Sequence, residues 1–146
     1  MASVEQLQAL VGQELAVSDW LLIDQERVTQ FGQATLDLSA NHVDPVWAAP
    51  HGGTTVQGLL LLSLLPHLVG GHAGLPDGCT VGLNYGFDRV RITTPVKVGA
   101  RIRMRARLAG FERHGEAWWK KILALVVEVE GQEKAALYAN WMIVYR

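Results

Sequence analysis

Residues 58–70 read Gly58-Leu-Leu-Leu-Leu-Ser-Leu-Leu-Pro-His-Leu-Val-Gly70, an almost unbroken apolar run near the middle of the chain. A helix that spans a bilayer needs roughly 20 apolar residues, whereas this run is shorter and contains Pro66 and His67. It therefore predicts a buried helix, over residues 56–69, in a soluble protein. A helix that is apolar on every side must be surrounded, and a curved sheet wrapped around it is one way to do this.

After this helix the apolar residues alternate with polar ones, which is typical of strands. The clearest stretch is Arg101-Ile-Arg-Met-Arg-Ala-Arg-Leu108, with four arginines on one face and four apolar residues on the other. Strands are predicted at residues 81–87, 90–92, 100–111, 117–130 and 135–145. Helices first and antiparallel strands afterwards predict an α+β fold.

The charged residues of the predicted strands are expected to face solvent. If the strands pair, the arginine stripe is a solvated face partly neutralised by Glu128 and Glu130. Lys120 and Lys121 are expected to be solvated, and the alternative for them is a contact with the phosphate groups of a ligand.

The first part of the chain predicts two helices and one strand. Each helix follows a capping residue: residues 4–13 follow Ser3, and residues 25–35 follow Asp24. A strand is expected at residues 20–23. Residues 38–57 are rich in Gly, Pro, Asn and Thr and predict mostly loop, with one helical turn at residues 46–49 and Asp44 as its cap.

Length and composition predict a single domain over residues 1–146, because no linker-like stretch divides the 146 residues. The formal net charge of −1 indicates neither nucleic acid nor an anionic membrane as a partner. Cys79 is the only cysteine, which fits a reducing compartment, and the amino terminus lacks the basic region of a signal peptide. We therefore expect a cytoplasmic protein. Its 49% hydrophobic content suggests buried subunit surface and a homodimer or higher homo-oligomer.

A carboxylate and an imidazole, Asp37 and His42, lie in the segment Phe31-Gly-Gln-Ala-Thr-Leu-Asp-Leu-Ser-Ala-Asn-His-Val-Asp-Pro45. Residues five apart do not share a helical face, so these two side chains converge only if the intervening loop doubles back. By spacing alone, a helix-terminal aspartate and a structural loop histidine would be the commoner interpretation. A metal site is not expected, because the spacing of His42, Asp44 and His51 matches no common zinc pattern.

This segment resembles the signature of the MaoC-like hydratase/dehydratase domains, which include R-specific enoyl-CoA hydratases and the nodulation protein N group. That signature has an aspartate, a four-residue loop, a histidine, one further residue and Asp-Pro. Here Asp37, His42, Asp44 and Pro45 stand at the matching intervals. Ser63, five residues after Gly58, and residues 84–91, Asn-Tyr-Gly-Phe-Asp-Arg-Val-Arg, extend the resemblance over roughly residues 24–105.

The resemblance implies a hot-dog fold, in which an antiparallel sheet wraps around a central helix, and which usually pairs into a dimer. It also implies interconversion of a 2-enoyl-CoA and an (R)-3-hydroxyacyl-CoA, with coenzyme A or acyl carrier protein as the carrier and no cofactor. Asp37 and His42 would hold the reacting water. The backbone N–H groups at the start of the central helix, around Gly58, would face the thioester oxygen, with Ser63 in support.

Four positions depart from the family pattern. Leu36 replaces a glycine, Asn41 replaces an apolar residue, Gln57 replaces a histidine, and His51 replaces a phenylalanine. None of these changes removes Asp37 or His42, and Gln57 is assigned no catalytic role.

Two other functions stay open. A hot-dog thioesterase commonly has a carboxylate on or beside its central helix, but residues 56–70 contain none, which favours the hydratase. A non-catalytic module that binds acyl thioesters is the second alternative, because a fold does not dictate an activity.

Overall fold

A computed structural model describes residues 2–146. Within them the elements follow one another in the order α1 (Val4–Ala9), β1 (Glu14–Val17), β2 (Leu21–Leu22), α2 (Gln25–Thr35), α3 (Ala40–Val43), α4 (Pro45–Ala48), α5 (Gly58–Ser63), α6 (Leu65–Val69), β3 (Gly82–Ile92), β4 (Arg101–His114), β5 (Trp118–Val129) and β6 (Leu137–Tyr145). Short 3-10 turns follow α4 and α6. No helix of this part of the chain is long and apolar enough to cross a membrane.

The strands form one antiparallel sheet in the order β1-β4-β5-β6-β3, and β2 also pairs with β4. Alternate residues of β4, β5 and β6 face one side and are buried there together with the leucines of α5 and α6. The α+β prediction, with the central helix packed against an antiparallel sheet, is therefore confirmed. The largest buried side chains of this core are Tyr145, Ile23, Leu61, Leu65, Ile102, Met104, Leu108, Leu123, Leu125 and Leu137.

The central helix differs from the prediction in two ways. It is divided at Leu64 into α5 and α6, because Pro66 has no N–H to donate to the preceding turn. It is also not surrounded on all sides by its own chain: the Leu59 side chain is 63% exposed, and Ser63, one turn further on, is exposed as well. This side of the central helix, at Leu59 and Ser63, is therefore not covered by the described chain.

The predicted strands are close to the observed ones, with one change. The two strands expected at residues 81–87 and 90–92 form a single strand, β3, whose register shifts at Asn84/Gly86 and at Asp88/Arg91. Irregularities of this kind break the period-two pattern that would otherwise show one continuous strand. The sequence also did not predict β1 or α3, which are only four residues long.

The arginine stripe of β4 pairs with acidic residues, as predicted. Glu128 of β5 forms ion pairs with Arg103 at 2.6 Å and with Arg105 at 2.7 Å, and Arg101 forms one with Glu130 at 3.1 Å. At the opposite edge of the sheet β3 pairs only with β6, so its outer edge is open in the single chain.

Candidate active site

The candidate site begins where α2 ends. Leu36, the C-cap of α2, has φ 63° and ψ 18°, the left-handed conformation that a side chain disfavours and glycine adopts freely. This conformation turns the chain sharply before Asp37, and it gives a physical reason for glycine as the usual residue here. Leu36 is 84% exposed, so its side chain gains little from packing.

Gly32 allows the chain to double back after this turn. A Cβ atom at residue 32 would lie 2.7 Å from the backbone oxygen of Asp37 and 3.2 Å from Cγ1 of Val43. The segment that carries Asp37 therefore packs directly on the backbone of α2. The folding back that the five-residue spacing required is present.

The side chain of Asp37 is held by the next turn. The Ser39 hydroxyl donates a 2.7 Å hydrogen bond to Oδ1 of Asp37. This bond lowers the pKa of the Asp37 carboxyl below its ordinary value of 3.8, and the nearby charge of His42 lowers it further. Asp37 is therefore a carboxylate at neutral pH and lies within electrostatic range of His42.

His42 lies on α3, half-buried, with both ring nitrogens engaged. Nδ1 is 2.6 Å from the carbonyl oxygen of Thr55, and since a carbonyl only accepts, Nδ1 carries the proton of the neutral ring. Nε2 is 3.2 Å from Nδ2 of Asn41, whose amide donates to it. Nε2 therefore holds the lone pair, which is the arrangement that a general base needs.

A buried network fixes the backbone of His42. The side-chain amide of Gln25, at the start of α2, donates to the His42 carbonyl at 2.8 Å and accepts from the Thr54 hydroxyl at 2.6 Å. The N–H of Thr55 donates to the carbonyl of Asn41 at 2.9 Å. These hydrogen bonds thus join the loop before α5 to α3, the helix that carries His42.

The amino terminus of α5 begins three residues after Thr55. The N–H groups of Gly58 and Leu59 have no backbone acceptor within residues 2–146, as expected in a first helical turn. The direction of the missing Cβ of Gly58 is filled by Ile92 of β3, with Cγ1 and Cγ2 each 3.2 Å away. The structure thus shows that glycine at this position allows close packing of α5 on β3.

Gln57 and Ser63 stand at the two ends of α5. Gln57 is 2% exposed; its Nε2 donates to the Val28 carbonyl at 3.0 Å, and its Oε1 is the one buried side-chain polar atom of residues 2–146 without a partner. Ser63 is exposed and its hydroxyl donates to the carbonyl of Leu59 at 2.8 Å, inside its own helix. Ser63 contacts neither Asp37 nor His42 by a hydrogen bond in the described chain.

Three residues that shape the site were not predicted from the sequence: Gly32, Gln25 and Thr54. Each acts through a partner more than four residues away in the chain, which no local periodicity shows. By contrast Asp44 is the predicted cap, since its Oδ1 accepts from the N–H groups of Val46 and Trp47, each at 3.0 Å.

Comparisons with known proteins identify the family of this chain. Residues 6–130 match the model of the MaoC like domain. The chain is 39% identical to Nodulation protein N of Rhizobium leguminosarum bv. viciae over 97% of this chain and 90% of that protein. It is also 39% identical to 3-hydroxyacyl-thioester dehydratase Z of Mycobacterium tuberculosis, over 98% of this chain and 95% of that one. The fold superposes on the (R)-hydratase from A. caviae involved in PHA biosynthesis with a TM-score of 0.70 and 21% identity, covering 91% of this chain and 94% of the other.

The arrangement of the sheet and central helix is therefore the hot-dog fold, as predicted. The chain belongs to the family of MaoC-like domains, and it is an enzyme of the hydratase and dehydratase class, a lyase.

Proposed function

We propose that this enzyme interconverts a 2-enoyl thioester and an (R)-3-hydroxyacyl thioester, with coenzyme A or acyl carrier protein as the thiol carrier. One observation carries the proposal. The chain doubles back after α2 so that Asp37 and His42 lie within range of each other's charge, while His42 is anchored to Thr55, three residues before the free N–H groups of α5. We infer that this acid/base pair and the N–H donors of α5 act on the same substrate.

In the proposed mechanism Asp37 and His42 share one water molecule. The ionised carboxylate of Asp37 accepts one of its hydrogens, and the Nε2 lone pair of His42 accepts the other after the water displaces the Asn41 amide from it. As the water oxygen bonds to the β-carbon of the enoyl group, the pair takes one water proton and a proton is returned to the α-carbon. One water is added across the double bond, and dehydration is the same path reversed.

The negative charge that develops during attack lies on the thioester oxygen. The N–H groups of Gly58 and Leu59 point from the first turn of α5 and have no other backbone acceptor in the described chain. Such preorganised donors stabilise an oxyanion, and the helix dipole adds to the effect. Because Ile92 fills one side of Gly58, the thioester would approach from the side of Asp37 and His42. Ser63 is proposed to support this end of the site by its hydroxyl, which remains able to accept a hydrogen bond.

We further propose that the active enzyme is a homodimer joined through β3. This strand has an open edge, and Leu83, Tyr85 and Ile92 are 51%, 54% and 50% exposed along it. Leu59 of α5 is 63% exposed beside it. An edge strand of 11 residues with one open side is a template for pairing with a second copy, which would also cover Leu59 of the central helix.

The reaction as proposed needs no resident cofactor, since the one proton that is transferred passes from the added water to the α-carbon through ionisable side chains. A cytoplasmic location is proposed with it, on the basis of the single cysteine.

The test is an assay of the purified protein with crotonyl-CoA and, separately, with butyryl-CoA. Loss of the enoyl absorbance with formation of (R)-3-hydroxybutyryl-CoA, identified by chiral analysis, is the expected result. Release of free thiol from butyryl-CoA would instead indicate a thioesterase. Tight binding of both thioesters without turnover would indicate a binding module.

A further inference from the structure

A buried lysine lies at the other end of the central helix. Lys121 is on the inner face of β5, in line with Leu123 and Leu125, and it is 3% exposed. The expectation of two solvated lysines is therefore wrong for Lys121. Strand alternation separates it from Lys120, which faces outward and pairs with Glu112 at 2.8 Å.

Lys121 is surrounded by partial charges only. Its Nζ donates to the carbonyl oxygens of His72 at 3.2 Å and Gly74 at 3.3 Å, and it lies 4.9 Å from the ring centroid of Tyr145. It forms no ion pair with any carboxylate of residues 2–146. Burial lowers the pKa of Lys121 to about 8, and the Cys79 thiol opposes this effect, so the amine is still charged at neutral pH.

A cavity of about 290 Å³ opens beside this cation, between α1 and the segment that follows α6. Apart from Lys121 and His72, the walls are apolar side chains and glycine backbone: Ala2, Leu7, Leu10, Leu15, Gly71, Gly74, Leu75 and Pro76. Lys121 is the one lysine or arginine among these lining residues. The cavity therefore combines aliphatic walls with a single positive charge.

This cavity is separate from the candidate active site. Gly58 packs on Ile92 of β3. Ile92 pairs with Leu137 of β6, and Leu137 pairs in turn with Val127 of β5, so Val127 marks the height of the candidate active site on β5. Lys121 lies six residues from Val127 along β5, about 20 Å at roughly 3.3 Å per residue. The two sites thus lie at opposite ends of the central helix.

We propose that this cavity is a second ligand site, which binds an aliphatic monocarboxylate with its carboxylate on Nζ of Lys121 and its alkyl chain among the leucines. An ammonium group has three donors, and the two carbonyls occupy two of them, so one donor remains for the ligand. A carboxylate supplies the full negative charge that a buried cation otherwise lacks. The leucine walls remove the alkyl chain from water.

Calorimetric titration with octanoate tests the proposal, with octanol as the uncharged ligand of the same length. Octanoate should bind the wild-type protein. Lys121→Met, which keeps the stem and removes the charge, should weaken octanoate binding by at least about tenfold, the loss expected for a hydrogen bond to a charged group. Lys120→Met, the neighbour on the outer face, is the matched control and should bind as the wild type does. Octanol should bind all three proteins equally and weakly.

Two further variants keep the test decisive. Leu10→Phe narrows the cavity while leaving Lys121 in place, and it should also abolish octanoate binding. The test of the site therefore does not depend on whether Lys121→Met folds. Asp37→Asn should bind octanoate as the wild type does, which separates this site from the proposed reaction. No binding to the wild-type protein, or undiminished binding to Leu10→Phe, would overturn the proposal. Equal octanoate affinity in folded Lys121→Met would overturn it too.

Discussion

Nδ1 of His42 lies 2.6 Å from the backbone oxygen of Thr55, and this contact determines which ring nitrogen can act as a base. The carbonyl accepts the Nδ1 proton, so the neutral imidazole presents Nε2 with its lone pair. Because the acceptor is backbone, no side-chain substitution at residue 55 removes it directly. The backbone of the loop that leads to α5 therefore fixes the tautomer of His42.

Removing either member of the acid/base pair should reduce turnover while leaving the fold intact. For His42→Gln and Asp37→Asn we expect kcat for crotonyl-CoA hydration to fall about 10²–10⁴-fold, the usual contribution of general acid–base catalysis. KM should change much less. His67→Gln, an exposed histidine on α6 away from the site, is the control and should retain wild-type kcat. Wild-type turnover in either site variant would exclude the assigned roles.

A methyl group at residue 32 should displace Asp37. In Gly32→Ala the new Cβ would lie 2.7 Å from the Asp37 backbone oxygen, so the segment must shift. We expect a loss of stability of about 1–3 kcal/mol, as for overpacking elsewhere, and a fall in kcat beyond what the remaining folded fraction explains. Urea unfolding and steady-state kinetics measure the two effects. Gln33→Ala, the exposed next residue of α2, should show neither.

Glycine at residue 36 should stabilise the protein. Leu36 has φ 63°, which costs a residue with a side chain roughly 1–2 kcal/mol, and its side chain is 84% exposed. After allowing for the greater chain entropy of unfolded glycine, we expect Leu36→Gly to raise the free energy of unfolding by about 0.5–1 kcal/mol.

The matched control is Gln33→Gly, at an exposed position inside α2. Glycine there also increases the conformational entropy of the unfolded chain, but it relieves no backbone strain in the folded protein. It should lower the free energy of unfolding by about 1 kcal/mol. Equal losses in both variants, measured by urea unfolding, would show that Leu36 is not strained.

The hydroxyl of Ser39 should set the acid limb of the pH–rate profile. It stabilises the charged form of Asp37, so its removal in Ser39→Ala should raise the pKa of Asp37 toward 3.8. Since the proposed mechanism needs the carboxylate, kcat/KM should begin to fall at a higher pH in this variant than in the wild type. Ser39→Thr keeps a hydroxyl and should retain the wild-type acid limb. An unchanged limb in Ser39→Ala would argue against Asp37 as the titrating base.

A charge on the open edge of the sheet should prevent dimer formation. Tyr85→Lys places an ammonium group on β3, where pairing with a second copy is proposed. Light scattering after size-exclusion chromatography should give half the wild-type mass. Val17→Lys, on β1 at the other edge and 40% exposed, should leave the mass unchanged. A wild-type protein that is already monomeric would contradict the proposed assembly.

Much of the fold could be predicted from local patterns. The alternation along β4, the caps Asp24 and Asp44, and the apolar central run all report on contacts within a few residues. Bulged or very short elements were not predicted: β3 was divided in two because its register shifts interrupt the alternation.

The resemblance predicted Asp37 and His42 as the candidate pair, but not how the chain positions them. Gly32 and Gln25 contact the backbone oxygens of Asp37 and His42. A sequence pattern shows which side chains are present, but not which backbone oxygen each one contacts.

The sequence by itself determined an α+β chain with a buried apolar helix, a strand-rich second half and an aspartate and histidine placed before that helix, because these depend on residue type and short-range spacing. Only the tertiary structure decided that the segment after α2 folds back onto Gly32, that Nδ1 of His42 faces the Thr55 carbonyl, and that Lys121 rather than Lys120 is buried. These features arise from contacts between residues far apart in the chain. Their geometry exists only once the sheet and the helices have packed.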